Sequence, residues 1–278
     1  MNDEDYESTV LILMLALAAE GQRERRERQR GQHYLTRDDL HPEPRYGTAW
    51  EAIYGGGNDR AFITTTGFDV RCFHYLLSYF EPRWNAAPIP RNDVDTDGES
   101  RPDRRSLSPT AALALVLHYL SSTMPEYSLQ QIFAVTPSVC TRYLAFAMEI
   151  LLDAFKVIPE AAISWLVEDS EFGDYAAMIE LHHPLLQKGF CFVDGVNIPV
   201  AESEVDDIQN AYYNGWTCSH YCSNVSAFAP VGCLIWCSVN GPGSWHDAAM
   251  ARGLYDKLVN RTPEGYYAFA DSISPQSS

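Results

Sequence analysis

Phe190-Cys191-Phe192-Val193-Asp194-Gly195 and Tyr266-Tyr267-Ala268-Phe269-Ala270-Asp271 are built alike: a short aromatic and apolar run that stops at an aspartate. A run of this kind reads as a buried strand whose last residue reaches the carboxyl edge of its sheet. Ligands and catalytic groups of α/β sheets gather at that edge. Two carboxylates brought together there repel unless a cation lies between them, so the pair points to a divalent metal. A plainer account is that each aspartate ends its strand in a turn, and Asp194-Gly195 is good turn chemistry.

The segment between the two runs predicts their placement. Val196 to Val200 continues the first strand past Asp194, a second strand is expected around Tyr212–Tyr221, and a third over Phe228–Val239. The turn Asn240-Gly241-Pro242-Gly243 follows, then a helix from Trp245 to about Leu258, then Pro263-Glu264-Gly265 and the last strand. Strand, strand, strand, helix, strand is the opening half of a ribonuclease-H-like fold, in which the first and fourth strands lie side by side. That order brings Asp194 and Asp271 together across 77 positions of sequence.

Upstream the periodicity is helical. Ser108-Pro109 opens a helix with Leu113, Val116, Leu117 and Leu120, as a capping residue followed by Pro does. A short helix follows over 128–133, then a turn at 134–138, then a longer helix over 138–155. Short helix, tight turn and longer helix form a helix-turn-helix pattern. Reading bases requires cationic side chains on the third helix, where Arg142 is the one candidate DNA contact. The first 106 residues predict a helix over 7–30, loop over 31–60, a helix over Phe68–Phe80 and an exposed acidic linker over 86–106. The run Arg23-Glu24-Arg25-Arg26-Glu27-Arg28-Gln29-Arg30 is either a nuclear-import or phosphate-contacting patch or a solvated face of Glu–Arg pairs. The expected organisation is α plus α/β: an N-terminal helical region with linker (1–106), a helix-turn-helix domain (107–158) and a partial ribonuclease-H-like domain (185–278).

Composition narrows the function. The net charge is −17 over 278 residues, which argues against a uniformly basic nucleic-acid-coating protein. Of 20 Lys and Arg, 14 fall in residues 1–105 against 19 acids, and the remaining 6 face 18 acids in 106–278. Attraction to phosphate therefore belongs to the N-terminal part or to bound metal. Seven cysteines without a basic-led signal segment fit a reducing compartment. The apolar run Val10–Ala19 is too short to span a bilayer, and no membrane association is expected.

Two further groups are candidates for chemistry. Gly243-Ser244-Trp245-His246-Asp247 stands at the start of the expected helix, with Ser244 as cap and Asp247 answering it. His246 and Asp247 are possible accessory residues in metal binding or proton transfer, and Trp245 is expected in the core. Cys218, Cys222, Cys233 and Cys237 form two Cys-x3-Cys pairs that suggest zinc, but the second pair lies in an apolar strand where buried thiols are ordinary.

Val193-Asp194-Gly195-Val196-Asn197-Ile198-Pro199, Tyr212-Tyr213-Asn214-Gly215-Trp216, Asn240-Gly241-Pro242-Gly243-Ser244-Trp245-His246-Asp247 and Ala270-Asp271-Ser272 have a shared order and spacing over about 80 residues. In these pieces residues 189–271 resemble the Harbinger transposase-derived nucleases, a family of eukaryotic DDE endonucleases, and residues 107–155 resemble the family's upstream region more loosely. The resemblance implies a nuclear enzyme, with the cytoplasm as a second location, that cuts DNA at transposon ends with Mg²⁺ or Mn²⁺. Asp194 would be the first catalytic and metal-binding acid and Asp271 the second. Some members rely on a separate Myb-like protein for DNA binding and nuclear entry. The family's third acid lies well downstream of the second, and Ser272–Ser278 contains none. Ile273-Ser274-Pro275-Gln276 also departs from the family's usual continuation. The expectation is an incomplete, truncated nuclease whose last strand leaves an apolar face uncovered. The alternative is a nuclease-dead regulatory protein that binds DNA or a partner through its helices.

Overall fold

The computed structural model describes residues 34–89 and 98–270. The expected helix over 7–30, its Arg-rich run, the apolar run Val10–Ala19 and Asp271 lie outside the described residues. The chain divides into two compact units at Ala161/Ala162.

Among the described residues six α-helices build the first unit. These are α1 (Ala49–Gly56), α2 (Asp59–Thr66), α3 (Val70–Ala86), α4 (Pro109–Ser121), α5 (Glu126–Phe133) and α6 (Pro137–Phe155). Their caps are written in the sequence. Thr48, Asn58, Asp69 and Ser108 each accept a hydrogen bond from a backbone N–H of the first turn. Gly57 and Gly67 end α1 and α2 in the left-handed conformation, with φ of 55° and 79°. α4 is buried continuously from Ala111 to His118, as an all-round apolar helix must be. It forms the centre of a core that includes Trp50, Phe62, Phe73, Phe80, Trp84 and Phe133. Trp50 packs at ring-centroid distances of 5.7 Å from Phe62 and 5.6 Å from Phe73.

Two expectations change here. Residues 31–60, expected as loop, contain all of α1 and the first residues of α2. Thr48-Ala49-Trp50-Glu51 is a capping pattern that announces α1, and Trp50 is its single buried residue. The boundary expected at 106/107 does not divide the core, because α1–α3 and α4–α6 bury their side chains in one cluster. The expected linker also carries a buried residue, Arg105. Its guanidinium donates to the carbonyls of Trp84 and Ala87 and to Ser100 Oγ, and lies 4.9 Å from the Trp84 ring centroid. Replacing Arg105 by Ala strands two inward carbonyls and removes the cation–π contact. The expected cost is about 3 kcal/mol, checked by urea unfolding followed through intrinsic tryptophan fluorescence.

α5 and α6 are separated by residues 134–136 and bent by 92°. Ala134 makes the turn at φ 51°. Among the described residues no single helix is long and apolar enough to cross a membrane.

The second unit holds α7 (Asp169–His182), β1 (Gly189–Pro199), α8 (Asp206–Tyr212), β2 (Tyr213–Asn214), β3 (Ser219–Phe228), β4 (Leu234–Pro242), α9 (Asp247–Met250), α10 (Arg252–Asn260) and β5 (Tyr267–Ala270). β4 pairs antiparallel with β3, β3 antiparallel with β1, and β1 parallel with β5. The first and last long strands thus lie side by side, as their order in the sequence predicts. One face of the sheet packs Cys191, Val193, Val225 and Ala227 with Phe172 of α7, Met250 of α9 and Leu254 of α10. The other face leaves Phe192, Val196, Ile198 and Phe228 exposed. Phe192 stacks on Phe269 with centroids 5.2 Å apart, and Gly189 leaves the room that ring needs.

The hairpin differs from its expected register. β3 begins at Ser219 instead of near Tyr212, and β4 runs on to Pro242. The cause is a set of buried polar side chains that hide the strand's alternation. Ser223 donates to Asn197 Oδ1 at 2.9 Å, and Asn224 Oδ1 accepts from Asn240 N at 3.0 Å. Such pairs satisfy polar groups inside a sheet that hydropathy alone would assign to loops. The single helix expected over 245–258 is two pieces, α9 and α10, separated at Ala251.

Candidate active site

Asp194 sits inside β1, not at its end. It pairs with Ser226 of β3, and Gly195 pairs with Val225, so the turn account of Asp194-Gly195 does not hold. The edge that matters is set by the neighbouring strand. The parallel register runs Cys191–Ala268, Phe192–Phe269 and Val193–Ala270, and Ala270 is the last described residue of β5. Each member of that final pair is followed directly in sequence by an aspartate, Asp194 and Asp271.

Alternation places Asp194 on the same face as Phe192, which is exposed around both residues. Its side chain is exposed, and Oδ1 accepts from the Gly195 N–H at 2.9 Å. Oδ2 makes no hydrogen bond to the described residues. A short, exposed carboxylate with an oxygen to spare suits a hard divalent cation, which takes oxygen ligands. Asp271, the other expected ligand, lies outside the described residues. Glu202, the first acid after β1, is turned elsewhere: its Oε1 lies 3.9 Å from Nδ1 of the buried His220.

The Gly-Ser-Trp-His-Asp stretch is placed differently from its expected role. α9 begins at Asp247, so Ser244 does not cap it, and Ser244 N donates to Ala211 O at 3.1 Å. Trp245, expected in the core, is 52% exposed. His246 is exposed and the backbone of Asp247 opens α9. Gly243 is packed so closely that a Cβ would overlap the carbonyl oxygens of Tyr221 and Tyr212. Asn214 ties the two motif loops together. Its Nδ2 donates to Gly243 O at 2.9 Å, while its Oδ1 accepts from Trp216 N at 3.0 Å and Thr217 N at 3.2 Å. Sequence reading singled out both loops but not the cleft they enclose, whose signal is the pair of tryptophans at 216 and 245.

Among the described residues no three His, Cys, Asp or Glu side chains converge as a metal group, and all seven cysteines are free. Cys218 and Cys233 are exposed, Cys237 is half-buried and Cys222 is buried, an arrangement that does not gather four sulfurs on one ion. Burial pushes the thiols of Cys191 and Cys140 up to about 12. Alkylation of the folded protein at pH 8 is therefore expected to label Cys72, Cys218 and Cys233 first. Cys140 and Cys191 should react only after denaturation, as read from labelled peptides by mass spectrometry.

Arg142, the expected DNA contact, is half-buried on α6, a helix whose other charged residues are Glu149 and Asp153. Comparison of the chain with protein-family models, curated proteins and solved structures returns no match.

Proposed function

We propose that the second unit is the metal-carboxylate half of a DNA-cutting endonuclease of ribonuclease-H-like, DDE type, with Asp194 and Asp271 as ligands. The observation that supports this reading most is the parallel pairing of Val193 with Ala270, the residues that directly precede the two aspartates in sequence. A bound Mg²⁺ or Mn²⁺ would supply positive charge for the phosphate and acidify a water molecule. The chain's own part is to hold two carboxylates on a rigid sheet. β1 is fixed on both sides, by β3 and by β5, so Asp194 has little freedom to move away from its neighbour.

Strand cleavage by this chemistry requires a third acid near the pair, and Glu202, turned toward His220, is not positioned to be it. The reading therefore assigns metal binding, and no further catalytic step, to Asp194 and Asp271. DNA engagement in the nucleus would fall to the helical unit or to a Myb-like partner protein. The α5–α6 pair has the 92° bend of a helix-turn-helix, but Arg142 alone gives α6 little cationic surface.

The same α5–α6 bend favours a second reading, a nuclease-dead regulatory protein that uses its helices to bind DNA or a partner. Titration of the full chain with Mn²⁺, followed by calorimetry, separates the two. The nuclease reading expects saturable binding that is lost in Asp194→Asn. The regulatory reading expects no saturable binding in either protein.

A further inference from the structure

We propose that a cleft of about 490 Å³ beside β2 is a nucleobase-binding site. Its walls come from three places far apart in sequence. Trp216 follows β2, Trp245 and His246 precede α9, and Asn197 belongs to β1. Trp216 is 95% exposed and Trp245 is 52% exposed. Two indoles left in water in one cleft form an unused stacking surface, since every base presents a π-face to such rings.

Polar groups sit where they can read the edge of a stacked ring. Asn197 Oδ1 is occupied by Ser223 Oγ at 2.9 Å, which turns its amide NH₂ to other partners. The exposed His246 ring carries both a donor and an acceptor in its neutral form. Amides and imidazoles of this kind recognise bases on their hydrogen-bonding edges.

The cleft is built in advance of any ligand. Asn214 bonds to both loops at once, and the close approach of Gly243 to the Tyr212 and Tyr221 carbonyls fixes the second loop on the sheet. Preorganised walls spare a ligand the entropy of ordering them. Asn197 is three residues past Asp194 on β1, so by alternation the cleft opens on the opposite face of the sheet from the Asp194 carboxylate.

Charge decides how a nucleotide would be held. Residues 106–278 carry 6 basic residues against 18 acids, so backbone phosphates gain little here. Recognition must come from the ring, and the affinity should respond weakly to salt. The choice of a nucleobase over another planar ligand rests on the nuclease reading above. A free nucleotide and a single-stranded nucleic acid present the same ring.

The test is quenching of intrinsic tryptophan fluorescence in the full chain, in EDTA, by single-stranded oligo-dT, thymidine monophosphate and a glucan oligosaccharide. Quenching by the oligonucleotide or the mononucleotide is expected. Trp216→Ala should weaken it at least tenfold with an unchanged circular dichroism spectrum, because that side chain is almost wholly in water. Trp245→Ala should weaken it likewise. Equal affinity for mononucleotide and strand would identify a free-nucleotide site, and a preference for the strand would identify a nucleic-acid site. The Asp194→Asn protein should retain the quenching, so loss of metal binding and loss of base binding are read separately. No quenching by either nucleotide, unaltered binding in both tryptophan variants, or preference for the oligosaccharide would overturn the proposal.

Discussion

Asp194→Asn is expected to weaken Mn²⁺ binding roughly 100-fold, a loss of about 2.8 kcal/mol at 1.4 kcal/mol per tenfold, without lowering the melting temperature of the metal-free protein. The two halves of this expectation have different causes. Removing one of two charged ligands takes away half of the charge that attracts a hard cation. Stability is spared because the Asp194 side chain is exposed and its one hydrogen bond is to the adjacent Gly195 N–H. Asn keeps an oxygen in the same place to accept it. The metal-bound proteins should differ in melting as well. Added Mn²⁺ raises the melting temperature of the wild-type chain by mass action, and the variant should show little rise.

Gly243→Ala is expected to destabilise the second unit by roughly 3 kcal/mol, within the range for overpacking against atoms that cannot move aside. The atoms a methyl group would meet are the carbonyl oxygens of Tyr212 and Tyr221. Both belong to backbone that is already committed, Tyr212 to the end of α8 and Tyr221 to β3. Relief requires the Pro242–Trp245 segment to lift off the sheet, which breaks the Asn214–Gly243 bond and the Ser244–Ala211 bond. For a unit of this size the change corresponds to a fall of roughly 10–20 °C in its transition. Differential scanning calorimetry should show that transition move while the one belonging to the α1–α6 core stays. A shift smaller than 3 °C would mean that the loop yields and that the glycine is not required.

Much of this fold is legible from short patterns. Ser108-Pro109 marks the start of α4, and the aromatic runs at 190–193 and 266–270 mark β1 and β5. The parallel neighbourhood of those strands agrees with their order, two antiparallel strands and a helical segment standing between them. What the sequence hides is hidden for physical reasons. α1 and α2 are eight residues each and bury only Trp50, Phe62 and Thr66, too few for a periodic signal. The start of β3 is masked because Ser223 and Asn224 are buried and paired by side-chain hydrogen bonds. Arg105 looks like part of a charged linker, although its charge is held by carbonyls and aromatic faces. Trp245 shows the opposite case: an indole is expected in the core by default, and its exposure becomes meaningful only when Trp216 is found across the same cleft.

For the candidate site, the sequence singles out Asp194, and the fold moves it from a strand end to a strand interior. The open apolar face beside it carries Phe192, Phe228 and Tyr267.

Iron-directed cleavage of the polypeptide tests the metal pair most directly, because it needs no catalytic turnover. Fe²⁺ takes the place of Mg²⁺ at oxygen-rich sites, and with ascorbate and peroxide it cuts the backbone within a few ångströms of where it is bound. The proposed site predicts cuts in two separate segments, around Asp194 and around Asp271, which are competed by Mn²⁺ and absent in Asp194→Asn. Cuts confined to other segments, or the same cuts in the Asp194→Asn protein, would contradict it.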